Sequence, residues 1–194
     1  MRIVAGQYRG RVLAVPRHEG LRPTSDRVRE AVFNVLEHGI ADFQIAGARV
    51  IDLFAGTGAL GLEAMSRGGA WCLFVEEAAE ARALIRRNVE ALGLMGQTRI
   101  FRRDATRLGP AGNLAGFQLA LVDPPYGRGL GEMALAALAD GGWLEPGAVV
   151  VLEERAGTDL ALPAVYAPID HRVYGETQVA LLRYAGAQTN ASEV

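Results

Sequence analysis

The sequence contains no lysine: all 20 of its cationic side chains are arginine, beside one cysteine and three histidines. Without lysine there is no Walker-type phosphate loop, whose ammonium must reach the terminal phosphates. The single thiol, Cys72, forms no internal disulfide and no thiolate metal cluster. His18, His38 and His171 are far apart and lack zinc-ligand spacing, so no metal is expected. Ser25, Ser66 and Ser192 lack the setting of a nucleophile elbow. No apolar run reaches the roughly 18 residues of a membrane span, and Met1 to Tyr8 show no secretory core. These absences lead to the expectation of a cytoplasmic monomer with no membrane or metal partner.

What is present fits one domain. Half of the 194 residues are apolar, enough for a full hydrophobic core. The net charge of −2 hides an uneven distribution. Residues 1–29 carry seven arginines against Glu19 and Asp26, whereas the remainder carries 13 arginines against 20 acids. A coding bias toward arginine accounts for the missing lysine but not for where the excess lies. The guanidinium fork grips phosphate well, so Arg2, Arg9, Arg11, Arg22 and Arg27 are candidate phosphate contacts on a basic arm.

The chain divides by pattern into a basic N-terminal hairpin and loop over 1–24, a main domain over 25–184 and a loose tail over 185–194. Thr24 or Ser25 can cap a helix over Asp26–His38, with Gly39 as its stop. Its apolar stripe is Val28, Ala31, Val32, Val35 and Leu36. Beyond Arg49, apolar strands near 50–54, 71–75, 98–102, 118–122 and 148–152 alternate with helices near 60–66, 78–92 and 131–139. Such alternation predicts a parallel sheet covered on both faces. The last two strands, His171–Tyr174 and Thr177–Tyr184, flank Gly175-Glu176, a turn too short for anything but an antiparallel pair. The fold class is therefore α/β, mostly parallel with one antiparallel strand near an edge.

Three strand ends carry chemistry. Asp52-Leu53-Phe54-Ala55-Gly56-Thr57-Gly58-Ala59-Leu60-Gly61 joins the first strand to its helix. Glycines there let backbone approach a ligand at a helix start. The literal match to a dinucleotide fingerprint is weak by itself. The Asp52 carboxylate suits an ammonium or sulfonium rather than a pyrophosphate, and Glu76, 20 residues after Gly56, can accept from both ribose hydroxyls. Asp104, after the third strand, can accept from an adenine amino group. Asp123-Pro124-Pro125-Tyr126 ends the fourth strand and is the sharpest signal. An aromatic amine is a poor nucleophile because its lone pair is delocalised into the ring. Hydrogen bonds from that amine to Asp123 and the Pro124 carbonyl favour a pyramidal nitrogen, the prolines stiffen the loop, and Tyr126 offers a stacking face.

Taken in order, Arg2-Ile3-Val4-Ala5-Gly6-Gln7-Tyr8-Arg9-Gly10, Arg22-Pro23-Thr24-Ser25-Asp26-Arg27-Val28-Arg29-Glu30, Asp52 to Gly58 and Asp123 to Tyr126 resemble the bacterial RsmD-like methyltransferases. These enzymes methylate N2 of a guanine in 16S ribosomal RNA. The resemblance runs from Arg2 to about Tyr184, with Ala5 departing from a frequent glycine. It implies a seven-stranded Rossmann-like methyltransferase sheet with an antiparallel final hairpin, S-adenosylmethionine as cofactor, and 16S rRNA in the small ribosomal subunit as partner, at guanine 966 in the family's rRNA numbering. It places Asp52, Phe54, Gly56, Gly58, Glu76 and Asp104 around the cofactor, with Thr24 and Arg29 either facing the same pocket or serving a purely structural capping role. Asp123, Pro124, Pro125 and Tyr126 would hold the guanine. Glu77 competes with Glu76 for the ribose. Rival readings are an adenine-N6 or glutamine-N5 methyltransferase and, more remotely, an NAD-dependent oxidoreductase, which would leave Asp123 to Tyr126 without a task.

Overall fold

The computed structural model describes residues 1–16 and 26–186. Arg22, Thr24 and most of the expected tail lie outside the described residues. The elements are α1 (Asp26–His38), β1 (Arg49–Leu53), α2 (Ala59–Ser66), β2 (Trp71–Val75), α3 (Ala79–Leu92), β3 (Thr98–Phe101), β4 (Phe117–Val122), α4 (Leu130–Asp140), β5 (Leu144–Arg155), β6 (Tyr166–Tyr174) and β7 (Thr177–Tyr184). The first four strand ladders are parallel, and β7 runs antiparallel between β5 and β6. The sheet order is β3-β2-β1-β4-β5-β7-β6. Chain order reverses between β1 and β4, and in open α/β sheets the crevice beyond such a switch point is where ligands bind.

Two apolar cores cover the two faces. One joins α1, α2 and α3 through Phe33, Leu36, Leu62 and Ile85; the other gathers Leu108, Phe117, Leu135 and Trp143. β5 and β6 begin several residues earlier than the pattern suggests, at Leu144 and Tyr166. Pro146-Gly147 lies inside β5 rather than before it, where the β4–β5 register shifts between Phe117 and Leu119, and an irregular ladder tolerates a proline. On α1 the buried face is turned toward Arg29 and Phe33, leaving Val28 and Ala31 half-buried.

The N-terminal segment is not a regular hairpin. Among the described residues it forms one antiparallel bridge, between Arg2 and Val12, and the Val4 and Ala5 amides donate to the Glu63 carboxylate on α2, at 2.8 and 3.0 Å. Ser66 takes the Tyr8 amide and donates to the Ala5 carbonyl. At Gly6, with φ +80°, a Cβ would stand 1.9 Å from the Ser66 carbonyl oxygen, so only glycine permits this close docking. Ile3 and Leu13 are buried in the core. The arginines Arg2, Arg9, Arg11 and Arg27 remain exposed.

Candidate active site

Beyond β1 the chain turns through Phe54, a non-glycine residue at φ 57°, a left-handed geometry that costs roughly 1–2 kcal/mol. Gly56 and Gly58 follow, also at positive φ. Asp52 is 1% exposed, and its Oδ2 accepts the Gly61 amide at 2.9 Å. That bond ties the first turn of α2 to β1. A Cβ on Gly61 would lie 2.5 Å from the Phe74 ring and 2.9 Å from Asp52 Oδ2, so this glycine serves close packing. Burial pushes the Asp52 carboxyl well above its ordinary range against the Gly61 bond, and the Asp123 and Glu76 charges push the same way.

Outside the strand ends opens a cleft of about 450 Å³, whose lining includes Phe54, Glu76, Arg103, Asp104, Pro125 and Leu130. Glu76 Oε2 accepts the Gly56 amide at 2.9 Å and Oε1 accepts the Ala78 amide at 2.8 Å. Its carboxylate therefore closes on the glycine turn, while Glu77 is exposed. Asp104 Oδ1 accepts from the Thr106 hydroxyl at 2.7 Å and the Thr106 amide at 2.8 Å. Those two bonds hold its carboxyl below the usual range, keeping it an anion and an acceptor.

Asp123 follows β4, half-buried, with its amide 3.5 Å from the Leu53 carbonyl of β1. Pro124 is buried and Pro125 lines the cleft. Tyr126 faces the other way, into a second cleft of about 460 Å³ with Arg155, Ala156, Gly175 and Glu176. Its hydroxyl lies 3.2 Å from Thr177 Oγ1 at the start of β7. Burial pushes that hydroxyl up to about 12, opposed by the Thr177 bond and helped by the Asp123, Glu153 and Glu154 carboxylates. The Gly127 amide donates to Glu154 Oε1 at 2.9 Å. One stiff loop, pinned from β5 and β7, thus forms a wall of two clefts.

A family model described as conserved hypothetical protein 95 matches residues 1–183. Ribosomal RNA small subunit methyltransferase D of Escherichia coli is 39% identical over 178 residues, covering 91% of this chain and 86% of that one. The protein of the same name from Haemophilus influenzae is 32% identical, covering 90% and 89%. The chain belongs to the RsmD-like methyltransferase family. Its fold matches an Escherichia coli methyltransferase structure with a TM-score of 0.80 at 35% identity, over 97% of this chain and 99% of that one. An RNA methyltransferase from Salinibacter ruber, solved with S-adenosylhomocysteine, shares the fold at a TM-score of 0.65 and 14% identity, over 88% and 98%.

In this RsmD-like chain the expected residues separate into groups. Phe54, Glu76, Asp104 and Pro125 share the first cleft, and Gly56 joins them through Glu76. Asp52 does not line the cleft; its carboxylate is committed to α2. Arg29 does not line it either. Its fully buried guanidinium donates to the Arg2 carbonyl at 2.5 Å and to Asp26 at 2.9 Å, and it lies 3.5 Å from Glu63. It fastens the N-terminal segment to α1 and α2. Sequence reasoning missed Arg103, Thr106, Leu130 and Thr177. The Asp104-x-Thr106 spacing was a readable signal for one of them; Thr177 is 51 residues from Tyr126 and gave none. Among the described residues no three His, Cys, Asp or Glu side chains converge as metal ligands.

The first cleft fits an adenosine by its chemistry. A carboxylate sits at the glycine turn for vicinal hydroxyls, a second acceptor sits on the rim, and Phe54, Pro125 and Leu130 supply apolar walls. A dinucleotide's pyrophosphate would need N–H or cationic donors, and two carboxylates would repel it.

Proposed function

We propose that this RsmD-like enzyme methylates N2 of a guanine in small-subunit ribosomal RNA, at the position equivalent to guanine 966, in the cytoplasm. The observation that carries the reading is the placement of Asp123 to Tyr126 as a partition between two clefts of similar size. Glu76 would hold the ribose of S-adenosylmethionine, Asp104 the adenine, and Gly56 and Gly58 the methionine portion. The cofactor supplies a methyl group on a sulfonium. The chain does the remaining work by position. Asp123 and the Pro124 carbonyl accept hydrogen bonds from the guanine amine, which favours a nitrogen whose lone pair is available. Tyr126 stays neutral across physiological pH and presents its ring to the base. As the amine gains its methyl, Asp123 is the acceptor nearest the departing proton. A target base must leave its stack to reach this loop, so a looped or partly assembled subunit RNA is the substrate.

The test is nucleoside mass spectrometry of small-subunit RNA incubated with the protein and labelled cofactor. N2-methylguanosine is the expected product. N6-methyladenosine, or label in protein glutamine, would overturn the acceptor assignment. Asp123→Ala should lower transfer on the order of a hundredfold or more while leaving S-adenosylhomocysteine binding intact by calorimetry.

A further inference from the structure

Residues 82–107 hold seven arginines against Glu90 and Asp104. This second basic block is hidden in the chain's net charge by the acids elsewhere. It spans most of α3, all of β3 and the loop that follows. β3 is the edge strand of the sheet, and α3 packs beside it, so the block occupies one side of the molecule. Arg86 and Arg99 line one groove of about 340 Å³ beside a single acid, Glu90, and Arg86, Arg87 and Arg99 are all exposed.

The partners of these arginines differ from those elsewhere. Among the described residues, the carboxylate ion pairs engage Arg29, Arg67 and Arg172. Within the block, Arg82 donates to the Glu76 and Glu77 carbonyls. Arg103 donates to the Leu108 carbonyl and lies 4.5 Å from the centre of the Phe101 ring. A carbonyl or a ring face satisfies a guanidinium donor without cancelling its charge. The N-terminal segment adds to the same side: Arg11 Nη2 donates to the Ala91 carbonyl at 3.0 Å, and the Ala14 amide to Asn88 on α3 at 2.7 Å. A basic band therefore runs from Arg103 at the cleft, past the Arg86–Arg99 groove, to Arg11 at the end of α3, some ~14 Å along that helix from Arg82. An edge strand needs a charge or two to deter pairing. A band that crosses a helix and continues onto the N-terminal segment exceeds that need. Small counterions screen its self-repulsion, and a polyanion lying along it would release them.

We propose that the α3–β3 edge is a second RNA-backbone surface, on which Arg86, Arg87 and Arg99 hold phosphates of the substrate RNA. This rests on the RNA reading above and extends it from the N-terminal arginines onto the α3–β3 edge. The test compares the parent with the triple variant Arg86→Ser, Arg87→Ser, Arg99→Ser. Binding is measured to purified small-subunit ribosomal RNA across a potassium chloride series, and separately to assembled small subunits. The variant should bind the RNA at least about tenfold more weakly near 0.1 M salt, with the slope of log K against log salt reduced by about 2. Melting temperature and S-adenosylhomocysteine affinity should not change, and the matching Arg→Lys triple variant should keep the parental slope. A serine variant with the parental slope overturns the proposal. So does a loss confined to assembled subunits with naked RNA binding unchanged, which would assign the band to an acidic protein. A parent that binds RNA yet transfers no methyl group sinks the enzymatic reading and leaves this surface standing.

Discussion

Asp52 and Asp104 are both acids at strand ends, and their surroundings drive them in opposite directions. Asp52 is buried, with its carboxyl pushed up; Asp104 is bonded by Thr106 and held down. For Asp52 the native state binds more protons than the unfolded chain between the unfolded value, near 3.9, and the raised native one. Stability contributed by this group is then full below that window and declines as pH rises through it. Asp52→Asn keeps an acceptor for the Gly61 amide and removes the charge. Its stability relative to the parent should be level near pH 4 and grow toward neutrality, as urea unfolding at several pH values would show; a difference that does not vary with pH refutes the account. At Glu76 the charge is the useful feature. Glu76→Gln should weaken S-adenosylhomocysteine roughly tenfold or more, since charged hydrogen bonds contribute about 1.5–3 kcal/mol each, and calorimetry reads this directly. The sequence pointed to Glu76, Asp104 and Pro125 because strand ends concentrate ligand contacts. It could not show that Asp52 bonds the Gly61 amide or that Arg29 meets Glu63, because spacing gives the element a side chain sits on, not whether backbone donors or a buried carboxylate claim it first.

At the level of elements, α2 is the anchor for everything that precedes it. Its Glu63 accepts two N-terminal amides and faces both Arg29 and Arg67, all in the interior. Glu63→Ala would leave two cations and two donors without their acceptor. A loss of about 3–5 kcal/mol is expected, with the Val4 and Ala5 amides exchanging hydrogen far faster than those of β1. Equal exchange in the two proteins would show that the segment is held by its apolar contacts alone. The terminal hairpin has a comparable hold on the acceptor loop. Thr177→Val removes the hydroxyl beside Tyr126, and kcat should fall several-fold, about 1 kcal/mol, while the KM for the cofactor stays put. Periodicity exposed most helices and strands here, since each is a continuous or amphipathic apolar run. It suggested a ladder near the N-terminus where there is one bridge, because nothing local in residues 2–12 announces that their donors will be met by a side chain about 58 residues away.

Across the whole molecule, the strand order means that the chain's final element, β7, is not a final addition at the margin. It fills the gap between β5 and β6 and pairs with β5 along Val149 to Arg155. Until Thr177 to Tyr184 has left the ribosome, a nascent chain carries β5 as an open margin bearing Val149, Val150, Val151 and Leu152, residues that are buried in the finished fold. Bare apolar strands of this kind recruit other chains. Translation stalled or truncated just before Thr177 should therefore yield sedimenting aggregate rather than a trimmed soluble domain, and holdase chaperones should be found on precisely timed late intermediates rather than early ones. Quality control of this protein hinges on the arrival of the eight residues of β7.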